Sequence, residues 1–392
     1  MKILHIIPSY FPAYRHGGPV LSVHTINKWL TKLGVDVTVY TTNIDGSELL
    51  DVPLNEEVDV DGVKVFYFPL SFKIWEYSTL MHKALKKNLK NFDLVHITSV
   101  FLSASALGSY YAKQYGVPYL ISPRGSLMKE PLSMKSPWIK KIYLSLIEKE
   151  NLKNAWGIHF TVEREKEEYE KASLPLQGGI VIPNAYEKKE LGGENPSIRE
   201  RLGIYNPDWK IILFLGRINW KKGLDTLIPA FSEVLEKDPD VVLVVAGGNE
   251  EKYREKVESW VSEYGLERRV IFPGMLLGEE KEALLEESHV FVLPSYSENF
   301  GMAVVESLAF KTPVVVTPQV GVSPWVKESG SGIVVNKDPD SVAQGILSIL
   351  KDPEKAKDMG EKGARLVEEV FKPQNVAKRF LRVYKEIKNT KT

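Results

Sequence analysis

The sequence predicts an α/β protein made of two doubly wound, parallel-sheet domains in succession. Three observations lead there. Short apolar runs of strand length alternate with amphipathic helical patterns, as in repeated βαβ units. The alternation begins twice, at Ile3 to Ile7 and again at Ile211 to Leu215. Between the two series, from Ala185 to about Asn206, the chain turns polar and glycine-rich without a long apolar run, which reads as a domain boundary. A length of 392 residues forms two cores more readily than one. The expected division is residues 1–185, residues 186–371 and a terminal segment, residues 372–392, whose helix Pro373 opens.

Composition narrows the function classes. With 51 basic and 51 acidic residues the formal charge is zero, so no whole-protein field recruits nucleic acid. The absence of cysteine excludes disulfides, thiolate zinc sites and a cysteine nucleophile, and suits a reducing cytosol. Abundant Lys, Glu, Val and Ile lean toward a thermophilic source. No stretch reaches the roughly 18 apolar residues of a membrane span. The opening Met1-Lys-Ile-Leu-His-Ile-Ile-Pro is too short for a signal-peptide core and reads as a buried first strand. A cytoplasmic protein is expected.

In the first series, strand Ile3 to Ile7 leads through a loop to Gly17-Gly18, and Pro19 opens a helix where a first-turn proline is tolerated. A glycine pair at a helix start exposes amides that suit an anion. Asp59-Val60-Asp61 has a D-x-D metal-binding spacing, but Gly62 and an alternating strand follow, so a hairpin turn at Asp61-Gly62 is favoured. Phe72 to Phe92 mixes Ile74, Trp75 and Tyr77 with Lys73, Lys83, Lys86, Lys87 and Lys90. Such a basic amphipathic helix lies either on an anionic membrane or, as the preferred reading, on its own core. His96 ends one strand region, and Ser122-Pro123-Arg124-Gly125 follows another; Arg124 suits an anionic group, whereas His96 is equally a structural histidine. Lys135 to Lys153 is a helical pattern whose Lys135, Pro137, Trp138, Lys140 and Lys141 form a second basic, aromatic patch.

The second series opens with Ile211 to Leu215 and then Gly216-Arg217-Ile218-Asn219-Trp220-Lys221-Lys222-Gly223 ahead of a helix. Val241 to Ala246 ends in Gly247-Gly248, and Val270 to Phe272 in Pro273-Gly274-Met275. The densest stretch is Ser295 to Pro313, between apolar runs at Val290 to Leu293 and Val314 to Val316. Glu298 falls in the loop before its helix, and Asn299, Phe300 and Gly301 supply helix-start amides, with Gly301 allowing close approach of a ligand. Glu306 falls inside a helix that is apolar nearly all round, where a carboxylate needs a partner. In open parallel sheets the loops at strand carboxyl ends hold the ligand. Two cations, free amides and two acids there match a diphosphate carrying a hydroxyl-bearing group.

With G-R…K-G at Gly216, Arg217, Lys222 and Gly223, and two glutamates seven residues apart in E-N-F-G-M-A-V-V-E, the chain resembles a retaining glycosyltransferase of family 4 with the GT-B fold. Supporting matches are the Gly17-Gly18 loop, Ser122 to Gly125 and Ile182-Pro-Asn184. The resemblance implies two Rossmann-like domains facing across a cleft, an acceptor domain first and a nucleotide-sugar domain second, with the last helix crossing back to the first. It implies that Arg217 and Lys222 hold the donor diphosphate and that Glu306 binds the ribose. The backbone near Met275 would hold the base, and Glu298 with Asn299, Phe300 and Gly301 the donor sugar. Gly216 and Gly247 would line the same site, Gly17 and Gly18 would close over the diphosphate, and His96 and Arg124 would face the acceptor. Where many members carry a histidine this chain has Arg124, so no catalytic histidine is transferred. The implied reaction moves a hexose from a UDP-sugar, or second GDP-mannose, to a glycan, lipid-linked or small-molecule hydroxyl, without metal or other cofactor. Peripheral membrane contact stays open through the two basic aromatic patches, and no oligomeric state is read. A nucleotide-sugar 2-epimerase and a non-catalytic nucleotide-sugar-binding subunit of the same fold are the alternatives.

Overall fold

A computed structural model describes residues 1–134, 137–188, 197–250 and 252–390. Lys135 of the second basic patch, positions 189–196 of the polar break and the last two residues lie outside the described residues. The chain divides into two compact units, Met1–Ala185 with Lys372–Thr392, and Tyr186–Phe371.

Unit 1 holds an eight-stranded sheet of β1 (Lys2–Ser9), β2 (Asp36–Thr42), β3 (Glu57–Val60), β4 (Val63–Phe68), β5 (Leu94–Thr98), β6 (Tyr119–Ser122), β7 (Gly157–Phe160) and β8 (Gly179–Val181). Their order is β8-β7-β6-β5-β1-β2-β4-β3, parallel throughout except for β3, which returns antiparallel to β4. The D-x-D segment is that return. Asp61 and Gly62 both hold positive φ, and Gly62 N donates to Asp59 Oδ1 at 3.0 Å. Helices α1 (Gly18–Lys32), α2 (Thr79–Asn88) and α3 (Ser103–Gln114) pack on the sheet, and α4 (Pro137–Tyr143) lies mostly exposed. Alternation of side chains along β1 divides the core: Ile3 and Ile7 join the cluster with Val23 and Ile26 of α1, whereas Leu4 and Ile6 join Met81, Leu85 and Ala104 on α2 and α3.

Two expected helices differ from the pattern. Phe72 to Phe92 is not one helix, because Phe72 and Tyr77 pair as an antiparallel bridge and Ser78 caps α2, its hydroxyl accepting from Met81 N at 3.3 Å. Downstream, α4 runs into a π turn, Leu144–Glu148, and then Lys149–Asn154.

Unit 2 holds β9 (Lys210–Leu215), β10 (Val241–Ala246), β11 (Val270–Gly274), β12 (Val290–Leu293), β13 (Val314–Val316) and β14 (Gly332–Val334), all parallel, in the order β11-β10-β9-β12-β13-β14. Strands buried on both faces read as continuous runs of Val, Ile and Leu, as these do. Their helices include α5 (Leu224–Lys237), α6 (Gly278–Glu287) and α7 (Met302–Ala309). The last helix, α8 (Pro373–Asn389), belongs to unit 1, where Val376, Phe380, Tyr384 and Ile387 enter the α1 side of the core. Among the described residues no helix is long and apolar enough to cross a membrane.

Candidate functional site

Strand order decides which loops of unit 2 meet. The sheet grows outward from β9 in both directions, with β10 on one side and β12 on the other, and at such a switch point the two carboxyl-end loops diverge and leave a crevice. The loop after β9 carries Arg217 and Lys222, and the loop after β12 carries Glu298. They are tied by backbone, Tyr296 N donating to Lys221 O at 2.7 Å. Across the crevice Lys222 Nζ donates to a Glu298 carboxylate oxygen, and both side chains are mostly buried.

The neighbouring loop after β10 packs against the first. Gly216 N donates to Ala246 O at 3.0 Å and Ile218 N to Gly248 O at 2.8 Å. At Gly247, φ is +154°, and a Cβ would stand 1.8 Å from the Gly216 carbonyl oxygen, so only glycine allows the two backbones to lie together. That approach brings in Glu250, whose carboxylate accepts from Arg217 Nη1 at 3.1 Å and from Asn219 Nδ2 at 2.6 Å. Arg217 is nevertheless half-exposed.

Glu298 is held on its other side by the loop after β13: Glu298 N donates to Gln319 O at 3.1 Å, and Gly321 N to Glu298 O at 3.0 Å. Gly301, the residue ahead of α7, has φ +102°, and a Cβ there would meet Val320 Cγ1 at 2.8 Å. The glycine is therefore required by packing against that loop, a different reason from the ligand approach expected from sequence. Phe300 and Gly301, just ahead of the first turn of α7, donate to no acceptor among the described residues. Glu306 is buried in α7, and its partner is Lys281 of α6 at 3.3 Å. Met275 follows β11 and is half-exposed.

Sequence reasoning missed Glu250, Asn219 and Lys281. Glu250 had a usable signal, two residues past a glycine pair at a strand end. Lys281 also had one, since Leu284 and Leu285 at i+3 and i+4 put it on the buried face of its helix.

In unit 1, Gly17 with φ +75° precedes α1, at the loop after β1. His96 departs from its expected place. It lies in mid-β5, 1% exposed, on the sheet face under α1 and α8. Its Nδ1 accepts from Tyr384 of α8 and its Nε2 donates to Ser122 Oγ, both at 2.6 Å. Ser122 donates in turn to His159 Nδ1 at 2.6 Å, and His159 Nε2 donates to Ile182 O at 2.8 Å. The carbonyl at the end can only accept, which fixes these roles for neutral rings. His5 stacks on His96 at 4.4 Å and bonds Asn27 and Thr98 at 2.9 and 2.8 Å. Burial pushes His5 down to about 4 and His159 to about 3, and holds His96 well below its ordinary value. With both nitrogens committed inside the core, His96 offers no face to an acceptor. Arg124 is half-buried beside this row, with φ +54°, and donates to Asn184 Oδ1 while its Nε finds no acceptor among the described residues. Burial pushes its guanidinium down to about 10.

Comparison with known proteins matches two family models, "Glycosyl transferases group 1" over residues 195–366 and "Glycosyl transferase 4-like domain" over residues 17–185. An uncharacterized glycosyltransferase of Methanocaldococcus jannaschii is 33% identical over 193 residues, 49% of this chain and 48% of that protein, so the match spans about half its length. Mannosylfructose-phosphate synthase of Agrobacterium fabrum is 26% identical over 338 residues, 77% of this chain and 71% of that one. In structure the chain resembles sucrose-phosphate synthase from Thermosynechococcus elongatus, with a TM-score of 0.77 over 98% of both chains at 22% identity.

Proposed function

The chain belongs to the group 1 glycosyltransferases, with the GT-B fold, and from that premise we propose that it is a retaining, metal-independent hexosyltransferase of the cytoplasm that uses a nucleoside-diphosphate sugar. The observation that carries the reading is the cluster at the switch point of unit 2, with Lys222 on Glu298 and Arg217 on Glu250. A diphosphate seeks cations with directed donors, and Arg217 and Lys222 sit on loops fixed by backbone pairing rather than on free arms. In this reading they hold the diphosphate, Glu306 takes the ribose hydroxyls, and the backbone near Met275 takes the base. Glu298, with the amides of Asn299, Phe300 and Gly301, grips the hexose. The acceptor, a hydroxyl of a glycan, lipid-linked or small molecule, belongs to unit 1 near Arg124.

The chemistry follows from where charge develops. As the bond from the anomeric carbon to the β-phosphate oxygen breaks, its electron pair leaves with the phosphate and the sugar becomes oxocarbenium-like. Fixed cations at the leaving group lower that barrier. The acceptor hydroxyl adds to the same face and passes its proton to the departing phosphate oxygen, so configuration at the anomeric carbon is retained. The donor proposed first is a UDP-sugar, and GDP-mannose second.

Thermal unfolding with UDP, GDP, ADP and TDP, each with and without Mg²⁺, tests the donor site. A nucleotide at about 100 times its Kd adds roughly 2.7 kcal/mol and moves the midpoint by several degrees. One nucleotide is expected to do so without Mg²⁺, and Arg217→Ala is expected to lose that shift and about 2–4 kcal/mol of transition-state stabilisation in kcat/KM. A shift that needs Mg²⁺ overturns the metal-free reaction. Absence of any shift, or full turnover in the variant, overturns the site.

A further inference from the structure

Unit 1 turns large apolar side chains outward in two places that meet. The first is the loop between β4 and α2. Phe72 N donates to Tyr77 O at 3.1 Å and Tyr77 N to Phe72 O at 3.0 Å, pinching Lys73, Ile74, Trp75 and Glu76 into a tip. Ile74 is 75% exposed and Trp75 55%. Trp75 and Glu76 both hold left-handed backbone, φ +56° and +50°, which residues with side chains avoid. Ser103 Oγ donates to Glu76 O at 3.1 Å and fastens the tip in that form. The strained backbone thus presents Trp75 to solvent.

The second place is α4 with the π turn after it. Trp138, Ile142 and Leu146 recur at i, i+4 and i+8, one stripe along the helical run, and are 66%, 51% and 74% exposed. The inward side of the same run already buries Tyr143 and Leu152. An ordinary surface helix is polar outward, and this one is apolar on both sides. The Trp75 ring lies 5.7 Å from that of Tyr143, so tip and stripe are neighbours.

The exposed charge on these two segments is mostly basic. Lys73 at the tip and Lys141 beside Ile142 are exposed and form no ion pair among the described residues, while Lys86, Lys87 and Lys90 lie toward the far end of α2, where Tyr115 at the end of α3 donates to Lys86 O at 2.7 Å. Of the acids in these segments, Glu148 is buried and accepts from Phe101 N at 2.8 Å, Glu76 is half-buried, and the exposed Glu150 is paired with Lys113 at 2.6 Å. Burial holds the Glu76 and Glu148 carboxyls above their ordinary range. On a chain of zero formal charge this is a local concentration of positive charge.

We propose that this face docks on an anionic lipid bilayer, with Ile74, Trp75, Trp138, Ile142 and Leu146 entering the boundary between headgroups and acyl chains and the lysines meeting lipid phosphates. Amphipathic tryptophan at the rim and lysine around it suit that layer. A second copy of the chain would instead bring like charges together. Apolar insertion and basic attraction supply the two signals that stable peripheral binding needs. The inference stands apart from sugar transfer, because its measurement involves no sugar.

The test is co-sedimentation of the full chain with phosphatidylcholine vesicles, with and without phosphatidylglycerol, at low and high salt. Binding to the anionic vesicles is expected to exceed that to neutral ones by about tenfold or more and to weaken with salt. The double variant Trp75→Ser/Trp138→Ser, with circular dichroism and Tm unchanged, is expected to lose about tenfold or more of that binding. Tyr205→Ser, an equally drastic change at an 80% exposed site of unit 2, is expected to keep it. No vesicle binding, equal binding by the double variant, or a wild-type dimer that the double variant abolishes would each overturn the proposal.

Discussion

Strands at the centre of the two sheets share a parallel arrangement and are filled differently. In unit 2, β9, β10, β12 and β13 bury Ile, Leu, Val, Phe and Ala along almost their whole length, and apart from Lys210 at the start of β9 charge appears only in the loops beyond their ends. In unit 1 the corresponding interior carries His5, His96, Ser122 and His159 as a row across four strands, closed by Tyr384 of the last helix. The apolar sheet works as a rigid base for loops that carry chemistry. The polar row instead ties neighbouring strands and α1 together and holds α8 through the one bond from Tyr384 to His96.

Acid should separate the two units most strongly. The three buried rings stay neutral when folded and take up protons freely when unfolded. Their stabilising contribution is therefore complete above about pH 6.5 and is lost as pH falls toward the folded values near 4 and 3. By pH 5 the loss is on the order of 2 kcal/mol for each of His5 and His159, with His96 adding in the same direction, before most carboxylates titrate. Urea unfolding at pH 7 and pH 5, with hydrogen exchange resolving β1 and β5 from β9 and β10, is expected to show unit 1 weakened by its three rings and unit 2 weakened less, through the single His289 that partial burial holds below its ordinary value. Equal loss in both sheets would break the comparison.

The next effect reverses the contrast. Gly247→Ala puts a methyl group 1.8 Å from the Gly216 carbonyl, so the loops after β9 and β10 must separate. A loss of about 3 kcal/mol or more is expected, confined to unit 2, with nucleotide binding lost alongside. A variant whose Tm and hydrogen exchange match the parent would show that the loops do not need that approach. The smallest effect tests the row itself. Tyr384→Phe leaves His96 Nδ1 buried without its donor, at a cost of about 1–3 kcal/mol. Exchange along Val376 to Ile387 should quicken first, and an unchanged Tm would mean that α8 is held by apolar contact alone.

Much of this was legible beforehand, for reasons visible in particular residues. Pro373 marked the start of the last helix, Asp61-Gly62 marked a hairpin, and Glu306 among Ala303, Val304, Val305 and Leu308 announced a buried acid. His96 misled because a histidine near a strand end looks the same in sequence whether its ring faces a cavity or a core. Phe72 to Phe92 misled because its helical spacing was real only from Thr79, and nothing local announced that Phe72 and Tyr77 would pair.

The sequence by itself determined the elements and their two series, since period, glycine and proline act within a few residues. It also determined that Arg217, Lys222, Glu298 and Glu306 would fall in or just beyond strand-end loops. Tertiary structure alone decided that β9 lies between β10 and β12, and hence that Lys222 meets Glu298, Arg217 meets Glu250 and Glu306 meets Lys281. It alone decided that His96 would be closed in by a tyrosine nearly 300 positions away. Those pairings rest on which strands lie side by side, and a local pattern that makes a strand apolar is satisfied by any apolar neighbour. Only the packing of the whole sheet selects one.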